Sequence, residues 1–174
     1  MTPLVRKFAL IAHIVSSIGW MGAAAVYLAL AVAALTSKNV QTVRATYLAM
    51  ELAAWYVIVP SSLASLLTGL IVSLGTVWGL FRHYWVIFKL FLNLFAITIL
   101  LMYIQSIGSF ARMAGKETLS SADLSLLRRP THVVHTSGAL LVLLIATTLS
   151  VYKPQGVTPY GIRKRREERA AQAT

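Results

Sequence analysis

The stretch RRPTHVVHTSGALLVLLIATTLSVY, residues 128–152, decides the fold class of this chain. Pro130 stands where the first turn of a helix begins, and the apolar run after it is long enough to cross a bilayer. His132 and His135 lie three residues apart, on one face of that helix. The stretch therefore predicts a membrane span that opens with two titratable side chains on the same side.

The composition of the whole chain supports a membrane protein. Hydrophobic residues make up 57% of the 174 residues, charged residues only 12%, and the mean hydropathy is +0.72, which excludes an ordinary soluble domain. The absence of cysteine excludes disulfides, thiolate metal sites and covalently attached haem. The net charge of +11 is explained by basic residues flanking membrane spans, so no nucleic-acid partner is predicted.

Four apolar segments are each long enough to span a membrane. They predict an all-α protein, a four-transmembrane-helix bundle with up-down-up-down topology. The loop between the third and fourth spans has the periodicity of a short interfacial helix. Residues 1–152 form a single membrane domain, and residues 153–174 form a basic cytoplasmic tail that we expect to be mobile. The predicted spans are residues 8–35, 47–74, 84–107 and 131–152.

The distribution of lysine and arginine predicts the orientation in the membrane. Nine of these residues fall on the side of the two termini and six on the other, so both termini are expected in the cytoplasm. The first side contains Arg6, Lys7, Arg82, Lys153, Arg163, Lys164, Arg165, Arg166 and Arg169, and the second contains Lys38, Arg44, Arg112, Lys116, Arg128 and Arg129.

Depth along the spans divides the unusual polar residues into two groups. Some members of both groups lie near an interface, where simple snorkelling to water is the alternative interpretation. Glu51, His13 and His135 lie deeper, and an ionisable side chain inside the hydrocarbon region indicates a functional site. The inner group is His13, Arg82, His83 and Lys89; the outer group is Glu51, His132 and His135, with Arg128 and Arg129 above them.

Histidines within a four-helix bundle favour haem b, held through axial ring nitrogens. The candidate cofactor-binding residues are His13, His83, His135 and Lys89, and the candidate metal ligands are His135, His132 and His13. His13 and His135 lie near opposite faces of the membrane, so they cannot share one iron. No catalytic residue is identified, and the pattern does not decide whether the protein is an enzyme.

The outer group suggests a second kind of site. Glu51 and His135 lie at similar depth on the second and fourth spans, so we expect them to form a proton-sharing or ion pair. In this hypothesis His132 connects the pair to water and Trp55 closes the pocket from below. A purely structural link between two helices is the alternative.

Two resemblances add to these patterns. The segment HIVSSIGWMGAAA, starting at His13, resembles the first span of copper-resistance protein D type membrane domains, although the methionines are scattered. Segments that carry His13, Trp20, Glu51, Lys89 and His135, together with the exit VYKPQGVTPYG, resemble a family of small, uncharacterised bacterial four-span membrane proteins. This second resemblance covers nearly the whole chain. It implies the four-span fold and the bacterial inner membrane, but no mechanism.

Two function hypotheses follow from the sequence. The first is a membrane protein with intramembrane His, Glu and Lys sites that binds haem b and takes part in electron transfer. The alternative is a cofactor-free accessory or assembly subunit, or a proton- or ion-coupled carrier that uses Glu51, His135 and Lys89. The predicted partners are the lipid bilayer and either other membrane subunits or further copies of the chain.

Overall fold

A computed structural model describes residues 2–76 and 78–172 of the chain, so residues 173 and 174 of the predicted tail lie outside the described residues. The described part contains seven α-helices and one π-helical turn, and it has no β-strand. The elements are α1 (Pro3–Thr36), α2 (Val40–Ala53), the π turn (Ala54–Ile58), α3 (Val59–Leu74), α4 (Tyr84–Ala114), α5 (Ser121–Leu127), α6 (Thr131–Tyr152) and α7 (Pro159–Gln172).

Four helical stretches are long and apolar enough to cross a membrane, which confirms the all-α class and the number of candidate spans. The first three extend beyond their predicted ends, because polar turns flanking an apolar run can continue the same helix. The fourth combines α5 with α6, and α6 alone has the predicted bounds. The stretches are Pro3–Thr36, Val40–Leu74, Tyr84–Ala114 and Ser121–Tyr152.

The second span is interrupted near its middle by the π turn. Pro60 cannot donate a backbone hydrogen bond, and it occupies the first turn of α3, where a missing N–H is tolerated. Just before it, the N–H of Val59 bonds to the carbonyl of Ala54, five residues back. The wider turn therefore accommodates the proline without ending the span.

The four spans pack so that neighbours in sequence are also neighbours in space. Helix α1 contacts the second span and α6, and α4 contacts the same two, so α1 and α4 lie diagonally opposite. A hydrogen bond of 2.7 Å between the hydroxyls of Ser17 and Ser65 joins α1 to α3. Large side chains fill the centre of the bundle, among them Trp20, Tyr27, Tyr47, Met50 and Ile107.

The connection between the third and fourth spans contains the short helix α5. Ser120 and Asp123 form a reciprocal capping box at its start. At its end, the hydroxyl of Tyr47 donates to the carbonyl of Leu127 at 2.5 Å. Arg128 donates to the carbonyl of Lys38 at 3.2 Å, so this side chain binds a neighbouring loop instead of simply snorkelling to water.

Helix α7 occupies most of the segment that the sequence predicted to be a mobile tail. Arg82, in the loop before α4, forms a two-pronged ion pair with Glu168, with N–O distances of 2.6 and 3.3 Å. The backbone N–H of Thr158 donates to the carbonyl of Arg82 at 3.0 Å. A Cβ at Gly161 would collide with that same carbonyl, so only glycine allows this approach. The tail is thus bound to the loop.

His83 takes part in the same contact and is buried, so its ring does not simply snorkel to water. Its Nδ1 donates to the carbonyl of Trp78 at 2.7 Å. In the neutral ring this leaves Nε2 as an acceptor, and Arg165 of α7 donates to it at 3.1 Å. His83 therefore joins α7 to the loop and does not face the centre of the bundle.

We expect protonation of Glu168 to release α7 from the loop. The hydrogen bond from Arg82 lowers the pKa of the Glu168 carboxyl below its ordinary value. The stabilisation that the Arg82–Glu168 pair gives to the folded state is therefore fully present above the ordinary pKa of a glutamate. It is lost as the pH falls through the lowered pKa of Glu168 in the folded protein. Glu168→Gln should reproduce the protonated state at neutral pH, where trypsin should cleave α7 faster than in the native protein.

Glu167→Gln is the matched control for this prediction. Among the described residues, Glu167 pairs with Arg163 and Lys164 of its own helix and with no group of the loop, so the same chemical change should leave trypsin cleavage of α7 nearly unchanged. In the unmodified protein, hydrogen exchange in residues 159–172, corrected for intrinsic rates, should increase toward acid pH. Equal cleavage of the two variants would contradict the role of the Arg82–Glu168 pair.

Candidate functional site

A cavity of about 750 Å³ opens between α1, α3, α4 and α6, and we call it the His13 cavity. Its deep end is lined by Trp20, Leu66 and Leu143. Its mouth is lined by side chains from the start of α1 and the loop before α4. Most lining side chains are apolar, and a few polar groups project among them, which is the usual composition of a small-molecule site.

His13 is held in a fixed orientation on the wall of this cavity. Its Nδ1 lies 3.0 Å from the carbonyl oxygen of Ser65 and 3.2 Å from the hydroxyl of Thr68. Because a carbonyl can only accept, Nδ1 carries the proton in the neutral ring and Nε2 carries the lone pair. Gly69 makes room for the ring, since a Cβ there would lie 2.9 Å from His13 Cε1.

Lys89 of α4 lies beside His13, as their similar predicted depth suggests. The distance from Lys89 Nζ to His13 Nε2 is 3.4 Å, so the amine donates to the imidazole across the diagonal of the bundle. Lys89 also lines the cavity and is half-buried. Of the four predicted cofactor-binding residues, these two come together, whereas His83 and His135 do not line the cavity.

His132 is the buried histidine of the fourth span, with a side chain only 2% exposed. Its Nδ1 is hydrogen-bonded to the hydroxyl of Tyr27 at 3.0 Å. The rings of Tyr47, Tyr103 and Phe110 surround it, with centroid distances of 5.3, 5.4 and 4.9 Å. We call these five residues the His132 cluster. The sequence had placed His132 near water, and the structure places it at the centre of the bundle.

His135, which the sequence predicted to face inward, lies on the exposed side of α6. Its Nδ1 donates to the carbonyl of Thr131 in the preceding turn at 2.8 Å, and its ring stacks on Tyr103 at 4.6 Å. The rotation of α6 that buries His132 turns His135 outward.

Glu51 points toward the third span, not toward His135. A Cβ at Gly108 of α4 would lie 3.3 Å from Glu51 Oε1 and 3.4 Å from Arg112 Nη1. Within residues 2–76 and 78–172, no hydrogen bond or ion pair joins Glu51 to His135. Trp55 is 50% exposed and does not close a pocket between Glu51 and His135. The structure therefore does not form the predicted pair.

The described residues contain no cluster of three or more His, Cys, Asp or Glu side chains that could hold a metal ion. The predicted ligands are separated, because His13 lies in the cavity, His132 in its aromatic cluster and His135 on the outside. A metal site built from these histidines therefore gains no support from the geometry.

Several neighbours of the histidines were not assigned to sites from the sequence. Tyr47, Tyr103 and Phe110 around His132 look like ordinary core aromatics, and nothing in their spacing connects them to a histidine far along the chain. Thr68 beside His13 is likewise unremarkable in sequence. Glu168 carries a recognisable signal, since it is an acid in a strongly basic segment and such a residue often has a basic partner.

The fold and the site together define a class: an all-helical protein with four potential membrane spans and a polar-walled cavity among them. Comparison of the chain with protein-family models, curated proteins and solved structures gives no match.

Proposed function

We propose that this chain is a membrane-embedded binding protein for a small amphipathic molecule. The observation that carries the proposal is the His13 cavity, whose volume of about 750 Å³ lies within the roughly 300–1,000 Å³ typical of ligand sites. An apolar body would fill the deep end, and a polar group would contact Lys89 Nζ, which His13 Nε2 holds in place by accepting one of its hydrogen bonds.

The fixed orientation of His13 supports this role. Its Nδ1 is bonded to the carbonyl of Ser65, so Nε2 is fixed as the acceptor for Lys89 without further rearrangement. A preorganised polar group costs less ordering on binding than a mobile one. Lys89, beside it, supplies three donors on a flexible stem. Lys89 can therefore donate to His13 and still donate its other N–H groups to a ligand head.

We further propose that the spans alternate in direction in the bacterial inner membrane, with both termini in the cytoplasm. Contacts between the start of α1 and the end of the second span, at His13 and Ser65, support antiparallel neighbours. The excess of basic residues near the termini supports the orientation. In this arrangement the cavity opens toward the cytoplasm, and α5 lies at the opposite interface.

The ligand should remain with the protein through purification in mild detergent. Native mass spectrometry should show an adduct above the mass of the bare chain, and solvent extraction should release the same species. His13→Ala should reduce the adduct about tenfold, because Lys89 loses the hydrogen bond that fixes its amine beside the ligand head. His135→Ala is the matched control and should retain it, because His135 lies outside the cavity.

The proposal fails if the native protein runs at the bare mass under all gentle conditions and its extract matches that of empty detergent. An adduct retained equally by both histidine variants would place the ligand elsewhere and would also contradict it.

Haem b with membrane electron transfer is the second candidate, and one observation favours it. Ligating histidines commonly donate their other ring N–H to a carbonyl, and His13 donates Nδ1–H to Ser65. His13 would hold the haem, which would supply one-electron chemistry. The fit is incomplete, because Lys89 already donates to Nε2 and no second histidine lines the cavity.

The absorption spectrum of the same preparation tests this candidate. A Soret band and a reducible α-band, both lost in His13→Ala, would support it. Colourless protein from haem-replete cells, unable to take up added hemin, would exclude haem and leave the amphipathic ligand.

A cofactor-free accessory or assembly subunit, or a proton- or ion-coupled carrier, is the other proposal from the sequence. A proton path through Glu51, His135 and Lys89 gains no support from the geometry, because these side chains lie at three separate places. Other membrane subunits or further copies of the chain, beside the lipid bilayer, are the partners that such a role would require.

A further inference from the structure

All charged side chains that line the His13 cavity are basic. They are Arg6, Lys7, Lys89 and Lys153, and no Asp or Glu is among the lining residues. Among the described residues, no carboxylate lies within ion-pair distance of Lys89. A cation inside a membrane-spanning bundle is normally paired, because desolvation makes an isolated charge costly. The cavity thus has an excess of positive charge that its own walls do not neutralise.

Two further donors in the cavity wall have no acceptor. Trp85 Nε1 and the Thr76 hydroxyl are buried, and neither has a hydrogen-bond partner among the described residues. The indole N–H can only donate. Buried polar groups are nearly always hydrogen-bonded in folded proteins. Both atoms are closed off from the open space of the cavity, so a bound molecule could reach them only after the wall rearranges.

The cavity has a charged end and an uncharged, apolar end. Arg6 and Lys7 precede His13 by about two helical turns, or roughly 10 Å along α1, and Lys153 follows the end of α6. The opposite end is formed by Trp20 and Leu143, which are buried and carry no charge. A bound amphiphile would therefore place its head toward the cations and its tail toward the centre of the bundle.

We propose that the ligand of the His13 cavity is an anionic amphiphile, with a phosphate or carboxylate head bound between Lys89 and the cations of the mouth. This inference rests on the proposed function, since it names the chemical class of the molecule bound there. An anionic phospholipid of the bilayer and a free single-chain acid share this chemistry.

The tryptophans of the chain offer a direct assay. Of the four, Trp20, Trp78 and Trp85 line the cavity, and Trp55 lies on the exposed surface. In the full chain carrying Trp55→Phe, quenching of fluorescence by a brominated tail reports occupancy of the cavity. The probes are a brominated fatty acid, the matching brominated fatty alcohol, and phosphatidylglycerol with brominated acyl chains.

We expect the acid to quench at about tenfold lower concentration than the alcohol, since its head gains charge-assisted hydrogen bonds. Lys89→Gln should remove most of that difference, and Lys153→Gln, at an exposed position, should reduce it without risk to folding. Lys38→Gln changes the net charge equally but lies outside the cavity, so it should leave the difference intact. Stronger quenching by phosphatidylglycerol identifies a bilayer lipid, and stronger quenching by the acid identifies a free ligand.

Equal quenching by acid and alcohol would overturn the anionic preference and leave the amphipathic site in place. Quenching by none of the three probes would overturn both proposals. A preference for the acid that survives Lys89→Gln and Lys153→Gln would show that the head binds elsewhere and would also overturn the inference.

Discussion

The substitution His132→Ala should lower the free energy of unfolding by about 3 kcal/mol, because it removes a buried ring from the centre of the bundle. The void would lie among Tyr47, Tyr103 and Phe110, whose rings now contact the imidazole. It would also leave the buried hydroxyl of Tyr27 without its partner. Unfolding in mixed detergent micelles, followed by far-ultraviolet circular dichroism, would measure the loss.

His135→Ala provides the matched control, three residues along the same helix. Its ring is exposed. Among the described residues, it hydrogen-bonds to its own helix and stacks on Tyr103, so the loss of unfolding free energy should stay below about 1 kcal/mol. His132→Phe should cost about 1 kcal/mol, since it keeps a ring and removes the interhelical hydrogen bond. Equal losses for the two alanine variants would contradict the burial of His132.

The two histidines show what a sequence pattern can and cannot decide. A spacing of three residues places His132 and His135 on one broad face, about 60° apart around the helix axis. Which of them faces inward depends on the rotation of α6, and that rotation is set by its contacts with α1 and α4. These contacts involve distant residues, so the local pattern gives depth but not direction.

The predicted depth along the spans indicated that His13 and Lys89 lie close together, but it did not indicate which residue Glu51 contacts. The first pair meets because both side chains reach the central cavity from diagonal helices. Glu51 has the same depth as His135, but α2 packs mainly on α1 and α4. The carboxylate therefore meets Gly108 of α4. Both pairs lie on diagonal helices, so the rotation of each helix, which apolar run lengths do not reveal, decided the outcome: His135 faces outward and Glu51 faces α4.

The four spans themselves were predictable because long apolar runs have few alternatives to a membrane helix. The helix in the tail was not predictable, because the composition of residues 153–174 is that of a solvated segment. Its structure depends on a few specific long-range contacts, chiefly the pair of Arg82 with Glu168 and the close approach at Gly161. Such contacts become visible only once the loop before α4 is placed in three dimensions.

Gly69 offers the sharpest test of the arrangement around His13. In Gly69→Ala the new Cβ would lie 2.9 Å from His13 Cε1, so the ring must move. Any movement weakens the bonds of His13 to Ser65 and Lys89. We expect this variant to be about 1–2 kcal/mol less stable than Gly22→Ala, in which the same helix-favouring change is made without a clash.

Gly22 is a suitable control because a Cβ there would meet nothing within 4 Å. Unfolding in mixed micelles would give the stability difference between the two alanine variants. Nuclear magnetic resonance of isotope-labelled histidine, assigned with His13→Ala, would follow the Nδ1–H that bonds to Ser65. That signal should shift or broaden in Gly69→Ala and stay in place in Gly22→Ala, because only the first variant displaces the ring. An unchanged signal together with equal stability would mean that Gly69 does not position His13, and the fixed orientation of the imidazole in the cavity would then lack its structural cause.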